Sequence, residues 1–351
     1  MPRARLPGPR SLGPVTVPST TLGLADNHGR VATDLRVSLT DRCNLRCTYC
    51  MPEEGLDWLA KPELLTDDEV VRLVSVAVTR LGVDEIRFTG GEPMLRRGLV
   101  GIVARTTQLH PRPEVSLTTN GIGLARQAEA LKEAGLDRVN VSLDTIRPDT
   151  FQQLARRDRL KDVLNGLEAA HNAGLAPVKV NAVLMRGVND HQAPELLQFC
   201  LDHGYELRFI EQMPLDAQHG WSRDTMITAD EILEHLGERF DLEPVDAATR
   251  GSAPAESFTV QGGPATVGII ASVTRPFCGD CDRVRLTADG QVRDCLFART
   301  ESDLRTALRA GADDEDLAER WRKAMRGKLP GHGIADPSFL QPARPMSAIG
   351  G

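Results

Sequence analysis

The chain has 351 residues, of which 41% are hydrophobic, enough for one large α/β barrel or for two domains. Its formal net charge of −7 argues against general nucleic-acid binding, because that affinity comes mostly from basic residues that neutralise phosphates. No stretch approaches the roughly 20 consecutive apolar residues of a membrane helix. The first 30 residues also lack the apolar segment of a secretory signal. We therefore expect no membrane association and a cytoplasmic location.

Residues 1–30 are rich in Pro, Gly and Arg, which predicts a disordered tail. From residue 35 to about residue 213, short β-branched runs alternate with stretches of helical periodicity, a pattern typical of a parallel sheet with helical crossovers. Thr66 followed by Glu69 indicates a capping box that opens the first helix. The predicted strands are 35–40, 85–89, 115–119, 138–143, 178–185 and 206–210, and the predicted helices are 67–81, 124–134, 161–173 and 194–202.

Six strand–helix units are fewer than the eight of a closed barrel, so residues 31–213 predict an α/β fold with a partial (β/α)6 TIM-like barrel. The active site of such a fold lies at the carboxyl ends of the strands. The pattern changes after Pro214, and residues 214–351 are predicted to form a C-terminal extension. Its expected elements are a capped helix at 228–237, short strands within 256–295, a polar helix at 313–326 and a tail that ends in Gly350-Gly351.

Three cysteines, Cys43, Cys47 and Cys50, lie within eight residues just after the first predicted strand. Thiolates suit iron–sulfur clusters, zinc or copper(I). A [4Fe–4S] cluster held by three cysteines leaves one iron open to another ligand, whereas a structural zinc site needs a fourth ligand. The C-x3-C-x2-C spacing resembles the signature of the radical S-adenosylmethionine (SAM) superfamily. There an aromatic residue, here Tyr49, precedes the last cysteine and is used against the adenine.

A Gly-Gly-Glu-Pro segment, residues 90–93, follows the second predicted strand. Glycines let a ligand approach the backbone, although this segment alone could be an ordinary turn. Forty residues after the first cysteines, it resembles the superfamily's motif for the methionine end of SAM. The resemblance implies that Gly91 lies beside SAM and that Glu92 accepts from its amino group.

A second group of three cysteines contains Cys278, Cys281 and Cys295. It fits a zinc site completed by a distant ligand such as His332, or a second [4Fe–4S] cluster whose open iron holds the substrate. Arg283 and Arg285 would share one face of an extended chain and suit phosphate, although two such arginines are often only a solvated face. The seventh cysteine, Cys200, is predicted to be buried in a helix.

Together these motifs resemble one family of the superfamily, the GTP 3′,8-cyclases of molybdenum cofactor biosynthesis. The resemblance covers roughly residues 34–351 and includes the Gly-Gly end. It implies a barrel of the radical SAM type, two [4Fe–4S] clusters, SAM as cofactor and GTP between the clusters. The implied ligands of SAM, besides Gly91 and Glu92, are Tyr49, Ser142 and Met213; those of GTP are Arg36, Arg87, Thr118, Lys179, Arg208, Arg283, Val284 and Arg285.

The resemblance also implies the reaction. A deoxyadenosyl radical takes hydrogen from C3′ of GTP, the sugar radical attacks C8 of guanine, and (8S)-3′,8-cyclo-7,8-dihydroguanosine 5′-triphosphate results. Arg283, Arg285, Gly350 and Gly351 would act in this step. The implied partners are an external electron donor and cyclic pyranopterin monophosphate synthase as the next enzyme, and we expect a homodimer. Glu85 departs from the basic residue expected there and would repel a triphosphate unless it turns to solvent.

Two other functions remain open from the sequence. A radical SAM enzyme that modifies a peptide would also carry an auxiliary cluster, although such extensions usually hold more than three cysteines. A non-catalytic iron–sulfur or zinc protein would leave residues 90–93 and the arginines between the cysteines unexplained.

Overall fold

The computed structural model describes residues 23–350. The described chain opens with a hairpin of strands β1 (Leu24–Ala25) and β2 (Val31–Ala32). Arg30, in this hairpin, is buried and pairs with Asp26 at 2.5 Å. The ordered fold therefore begins before residue 31, and the predicted disordered tail is corrected for residues 23–30. Residues 1–22 lie outside the described residues.

Six parallel strands form the centre of the sheet and pair in chain order. They confirm the six predicted strands, with ends that differ by at most two residues. The strands are β3 (Asp34–Ser38), β4 (Glu85–Thr89), β5 (Glu114–Thr119), β6 (Arg138–Ser142), β7 (Val178–Val183) and β8 (Glu206–Ile210).

Helices cover the outer face of these strands. The predicted capping box of the first helix is present, with Thr66 accepting from the Glu69 amide, and the helix ends at Gly82 in the left-handed conformation. The sequence did not predict α2, which has an interior glycine, Gly101, and no side-chain cap, nor α4. The helices are α1 (Asp67–Leu81), α2 (Leu99–Thr107), α3 (Ala128–Glu133), α4 (Pro148–Ala155), α5 (Leu160–Asn172) and α6 (Ala193–His203).

The C-terminal extension continues the same sheet on both sides. One of its strands pairs in parallel with β8 and another with β3, so the sheet widens without closing into a barrel. The elements are α7 (Ala229–Gly237), β9 (Leu242–Pro244), β10 (Glu256–Val260), β11 (Thr266–Ile270), β12 (Arg283–Leu286), β13 (Gln291–Arg293), β14 (Ser302–Asp303), α8 (Arg305–Arg309), α9 (Asp314–Arg326) and α10 (Met346–Ile349).

Side chains alternate between the two faces of the central strands, as strand geometry requires. In β3, Leu35 and Val37 have no exposed surface and belong to the hydrophobic core, whereas Arg36 lies on the inner face and lines a cavity. In β4, Ile86 and Phe88 are likewise buried in the core, and Arg87 lines the cavity. The inner face of the curved sheet is thus polar, and it holds the candidate site. Within the described range, no helix is long and apolar enough to span a membrane.

Candidate active site

A cavity of about 330 Å³ lies inside the curved sheet, a volume typical of ligand sites. Both predicted cysteine groups reach it, together with most of the predicted SAM and GTP ligands. The predicted residues that line it are Arg36, Cys43, Cys47, Tyr49, Cys50, Arg87, Gly91, Thr118, Ser142, Arg208, Met213, Cys278, Cys281, Arg283, Arg285 and Cys295.

The loop after β3 carries the first cysteine group and packs against the Gly-Gly-Glu-Pro segment. The Gly91 amide donates to the Thr40 carbonyl at 2.8 Å, and the Glu92 amide donates to the Arg42 carbonyl at 2.7 Å. A Cβ on Gly91 would fall well inside van der Waals contact with the carbonyl oxygens of Asp41 and Arg42. Gly91 is therefore required for the backbone of the cysteine loop to pass this close.

The first cysteine group places three thiols on one wall of the cavity. Burial raises the pKa of Cys43, and it raises the pKa of Cys50 to about 12. Burial also raises the pKa of Cys47 well above its usual value. Such thiols become thiolates only beside a strong positive charge, which iron supplies. Three thiols of this kind on one cavity wall match a cluster with one open position.

Tyr49 is held in place by Asp144, which follows the end of β6 and lines the same cavity. Its hydroxyl donates to Asp144 Oδ2 at 2.8 Å, and the other oxygen of Asp144 accepts from the Val183 amide at 2.9 Å. Burial raises the pKa of Asp144 to about 6, despite these two donors. The ring of Tyr49 is thereby held on the cavity wall beside Ser142 and Met213.

Glu92 does not fit its predicted contact with the amino group of SAM. The residue has no exposed surface and does not line the cavity. Its carboxylate accepts from the Met94 amide at 2.9 Å, from the Thr119 hydroxyl at 2.7 Å and from the Asn120 amide at 2.7 Å. The structure corrects the prediction, because this carboxylate joins the end of β5 to the residues after β4 instead of facing a ligand.

Five predicted GTP-binding arginines meet on the inner face of the sheet. Arg36 faces Arg87 across β3 and β4, and Arg285 faces Arg36 across β12 and β3. Burial, followed by the charge of Arg36, lowers the pKa of Arg87 to about 9. Burial lowers the pKa of Arg208 to about 10, and the nearby charge of Arg138 adds to the effect. These charges are costly in the free protein, and an anion would compensate them.

Besides Asp282, which pairs with Arg283 at 3.5 Å, the acid that lies among these arginines is Asp34. Its Oδ2 atom is 3.5 Å from Arg36 and 3.7 Å from Arg87. It is 3.8 Å from Arg283. The Nε atoms of these three arginines are buried and have no hydrogen-bond partner among the described residues. The carboxylates of Asp34 and Asp282 leave these donors unsatisfied, so the cluster has the chemistry of a site for a polyanion.

Arg208 belongs to a polar network on the same face. It donates to Asn181 at 2.9 Å and to Asn140 at 2.8 Å, and Asn140 donates to Thr118 at 3.3 Å. The sequence pointed to Arg208 and Thr118 but not to a role for either asparagine in the site. Their alternation with core residues along β6 and β7 was the available signal.

Three residues near the arginines have side chains engaged elsewhere in the structure, and the GTP contacts of Lys179 and Val284 stay predictions. Lys179 does not line the cavity, and its ammonium pairs with Glu206 at 2.8 Å. Val284 has no exposed surface and belongs to the hydrophobic core, because it alternates with the two inward arginines of β12. Glu85 lies at the amino end of the strands and pairs with Arg138 at 3.3 Å. This ion pair compensates the charge that was predicted to repel a triphosphate.

In the second cysteine group, Cys278 and Cys281 lie between β11 and β12 and Cys295 follows β13, and all three line the same cavity as the first group. His332 was the candidate fourth ligand for zinc. Its Nε2 atom is 3.0 Å from the Ser272 carbonyl, and its Nδ1 atom accepts from the Ile334 amide at 3.1 Å. Both ring nitrogens are therefore occupied, and His332 does not provide the missing zinc ligand. Between residues 23 and 350, no three His, Cys, Asp or Glu side chains are grouped as for a single metal ion.

The C-terminal tail returns into the site. The Met346 amide donates to the Leu215 carbonyl at 2.9 Å, and Arg285 donates to the Gly350 carbonyl. Gly350 has φ of 79°. A Cβ there would collide with Ser38 and Thr89, so only glycine fits. Gly351, the other predicted tail residue, lies outside the described residues.

Comparisons with known proteins agree with this arrangement. The family model for the Radical SAM superfamily matches residues 37–200, and the model described as Molybdenum Cofactor Synthesis C matches residues 205–334. A protein of Streptomyces coelicolor called GTP 3′,8-cyclase is 70% identical over 328 residues, which are 93% of this chain and 96% of that one. The chain belongs to the GTP 3′,8-cyclase family.

Other members of the family support the same assignment. The GTP 3′,8-cyclase 2 of Mycobacterium tuberculosis is 60% identical over 342 residues, which are 96% of this chain and 94% of that one. Among solved structures, Streptococcus suis SuiB bound to precursor peptide SuiA has a TM-score of 0.61 at 15% identity. That likeness covers 86% of this chain and 68% of that one, and it shows the radical SAM fold alone. The peptide-modifying alternative is not favoured, because the relatives of high identity are GTP 3′,8-cyclases.

Proposed function

We propose that the chain is a lyase that converts GTP into (8S)-3′,8-cyclo-7,8-dihydroguanosine 5′-triphosphate, the first step of molybdenum cofactor biosynthesis. Its close relatives carry that activity in their names. One observation supports the proposal most: a single cavity is lined by two groups of three cysteines and by five arginines, three of which have a buried Nε atom without a hydrogen-bond partner among the described residues. A radical source, a second site and a triphosphate site are thus brought together.

The first group, Cys43, Cys47 and Cys50, holds a [4Fe–4S] cluster, and the wall of Tyr49, Gly91, Ser142 and Met213 holds SAM. When bound, cluster and SAM supply a 5′-deoxyadenosyl radical that removes hydrogen from C3′ of GTP. The inward arginines of β3, β4, β8 and β12 bind the triphosphate and hold the sugar toward that radical. The buried position of this site keeps water from the reacting atoms.

The second group, Cys278, Cys281 and Cys295, holds a second [4Fe–4S] cluster whose open iron orients the guanine. Support comes from the incomplete donor set and from His332, which is committed to other hydrogen bonds. Arg285 joins the arginine site to the Gly350 carbonyl, so the tail acts in the cyclisation step. An external electron donor, cyclic pyranopterin monophosphate synthase as the next enzyme, a homodimer and a cytoplasmic location complete the proposal.

The decisive experiment is anaerobic incubation of the reconstituted protein with SAM, a reductant and GTP. We expect about eight irons per chain and formation of 5′-deoxyadenosine that requires GTP. The same incubation without GTP, and one with ATP in its place, are the controls. Zinc at either cysteine group, a single cluster, or 5′-deoxyadenosine in equal amount without GTP would contradict the proposal.

A further inference from the structure

A buried lysine contacts the second cysteine group. Lys328 follows the end of α9 and is only 3% exposed. Its Nζ atom donates to the Arg283 carbonyl at 2.9 Å, to the Cys281 carbonyl at 3.3 Å and to Cys281 Sγ at 3.5 Å. The ammonium of Lys328 thus donates to two carbonyl oxygens and one sulfur.

A buried ammonium needs a negative partner, because burial without one is unfavourable. In the described part of the chain, the recorded ion pairs include none between Lys328 and a carboxylate. The partner within hydrogen-bond distance that can carry charge is therefore the sulfur of Cys281.

Of the three sulfurs of the second group, the one within hydrogen-bond distance of the Lys328 ammonium is that of Cys281. One corner of the group is thus in direct contact with a fixed positive charge.

A second cation holds the surrounding loop without touching a sulfur. Arg30 donates to the carbonyls of Cys278 at 2.7 Å, Leu329 at 2.6 Å and Pro330 at 3.1 Å. It ties the N-terminal hairpin to the segment that follows Lys328. The position of the Lys328 backbone is therefore fixed by contacts other than its own ammonium, which lets the side chain be changed alone.

We propose that Lys328 is a positioning residue for the second cluster: it donates to the Cys281 thiolate, compensates the charge of the cluster and makes that cluster easier to reduce. The inference rests on the second cluster of the proposed function. Reduction potentials of [4Fe–4S] clusters respond to net charge and to hydrogen bonds on the sulfurs. A fixed positive charge in a buried site favours the state that carries the extra electron.

The test compares redox titrations of the second cluster, followed by electron paramagnetic resonance. A full-length parent in which Cys43, Cys47 and Cys50 are all alanine isolates that cluster. We expect Lys328→Met to shift the midpoint potential to more negative values, and Lys328→Gln to shift it in the same direction. Lys328→Arg, which keeps the charge, should stay close to the parent. Lys323→Met, which removes an exposed lysine from α9, is the matched control.

Iron content separates the possible failures. A parent without about four irons would disprove the second cluster itself, and the proposed function with it. If the parent and all variants hold the cluster at one common potential, the inference about Lys328 is wrong while the proposed function stands. Loss of iron in Lys328→Met and Lys328→Arg alike would assign Lys328 a purely structural role, which also overturns the inference. Loss in Lys328→Met that Lys328→Arg restores would support it.

Discussion

Tyr49 owes its position to Asp144, a residue ninety-five positions away in the chain. Both residues line the cavity, and the hydrogen bond between them fixes the orientation of the ring. A typical intramolecular hydrogen bond contributes about 0.5–1.5 kcal/mol. This contribution can be measured separately from the packing of the ring, because phenylalanine keeps the ring and removes the hydroxyl.

We expect Tyr49→Phe to weaken SAM binding about two- to tenfold, in line with that free energy. The measurement is equilibrium binding of SAM to the reconstituted protein without reductant. The control is Tyr205→Phe, at the only other tyrosine of the chain, which lies among His171, Phe199 and His203. Equal affinity of Tyr49→Phe and the parent would show that the ring needs no anchor.

The same pair predicts a pH dependence. Asp144 has its pKa raised to about 6 by burial, so it is a carboxylate at neutral pH and takes up a proton as the pH falls below that value. A charged acceptor makes the stronger hydrogen bond. The difference in SAM affinity between the parent and Tyr49→Phe should therefore be full at about pH 8 and shrink at about pH 5. A difference that stays constant over this range would rule out the charged acceptor.

Arg87 combines an unpartnered Nε atom with a charge that burial and Arg36 disfavour. Hydrogen bonds to charged groups contribute about 1.5–3 kcal/mol. We expect Arg87→Met to raise KM for GTP by a factor of about ten or more, and to leave the free energy of unfolding of the substrate-free protein unchanged or higher. The control is Arg112→Met, at an exposed arginine paired with Asp137. An unchanged KM would place the triphosphate elsewhere.

At the scale of elements, the turn after β4 and the cysteine loop after β3 form one unit. The two glycines of the turn are sites of close backbone approach, and Gly90 has φ of 146°, in the region that favours glycine. The cysteine loop cannot move away from the turn without moving its thiols. The geometry of the cysteine loop therefore depends on Gly91, which has no side chain.

We expect Gly91→Ala to lose most of the iron of the first cluster, because the added methyl group displaces the carbonyls of Asp41 and Arg42. Iron per chain after anaerobic reconstitution is the measurement. Gly101→Ala is the matched control: Gly101 lies inside α2 with open space around it. That change should keep the iron and stabilise the fold by about 0.5–1 kcal/mol. Full iron in Gly91→Ala would contradict the close packing.

The helices and strands were largely predictable from the sequence, whereas contacts between residues far apart in the chain were not. The alternation of Leu35, Arg36 and Val37 specifies both a strand and its inward side, so β3 and its arginine follow from local pattern. The same rule places the side chain of Val284 in the core, so a contact of Val284 with GTP would have to come from its backbone. Glu92 looked like a ligand because its motif is known, yet its partners Thr119 and Asn120 belong to another strand end.

Other parts of the site depend on residues far apart in sequence. Lys328 and Cys281 are separated by 47 positions, and Arg30 and Cys278 by 248. No local periodicity encodes such pairs, since they arise only when the extension folds back beside β3. The two unpredicted helices, α2 and α4, lack the strong caps that marked α1. Their existence is decided by packing on the sheet rather than by their own sequence.

For the whole molecule, the C-terminal tail connects the extension to the barrel. Ile349 has no exposed surface, and Gly350 accepts from Arg285. A chain that ends at residue 349 should still bind GTP through its arginines but lose most of the cyclised product. The measurement is product formation in a single turnover, together with GTP binding. Leu340→Ala, at an exposed residue of the same tail, is the control. Cyclisation at the full rate by the truncated chain would remove the role of the two glycines.

The parallel pairing of β12 with β3 joins segments about 250 residues apart. Contacts of such long range form late, and nascent chains fold from their N-terminal side during synthesis. The first three cysteines therefore leave the ribosome before β12 has been synthesised. During that time they are exposed to iron-delivering proteins and to oxygen. Assembly of the first cluster before β12 arrives, and protection of it afterwards, would both follow from the order in which the ribosome makes the two strands.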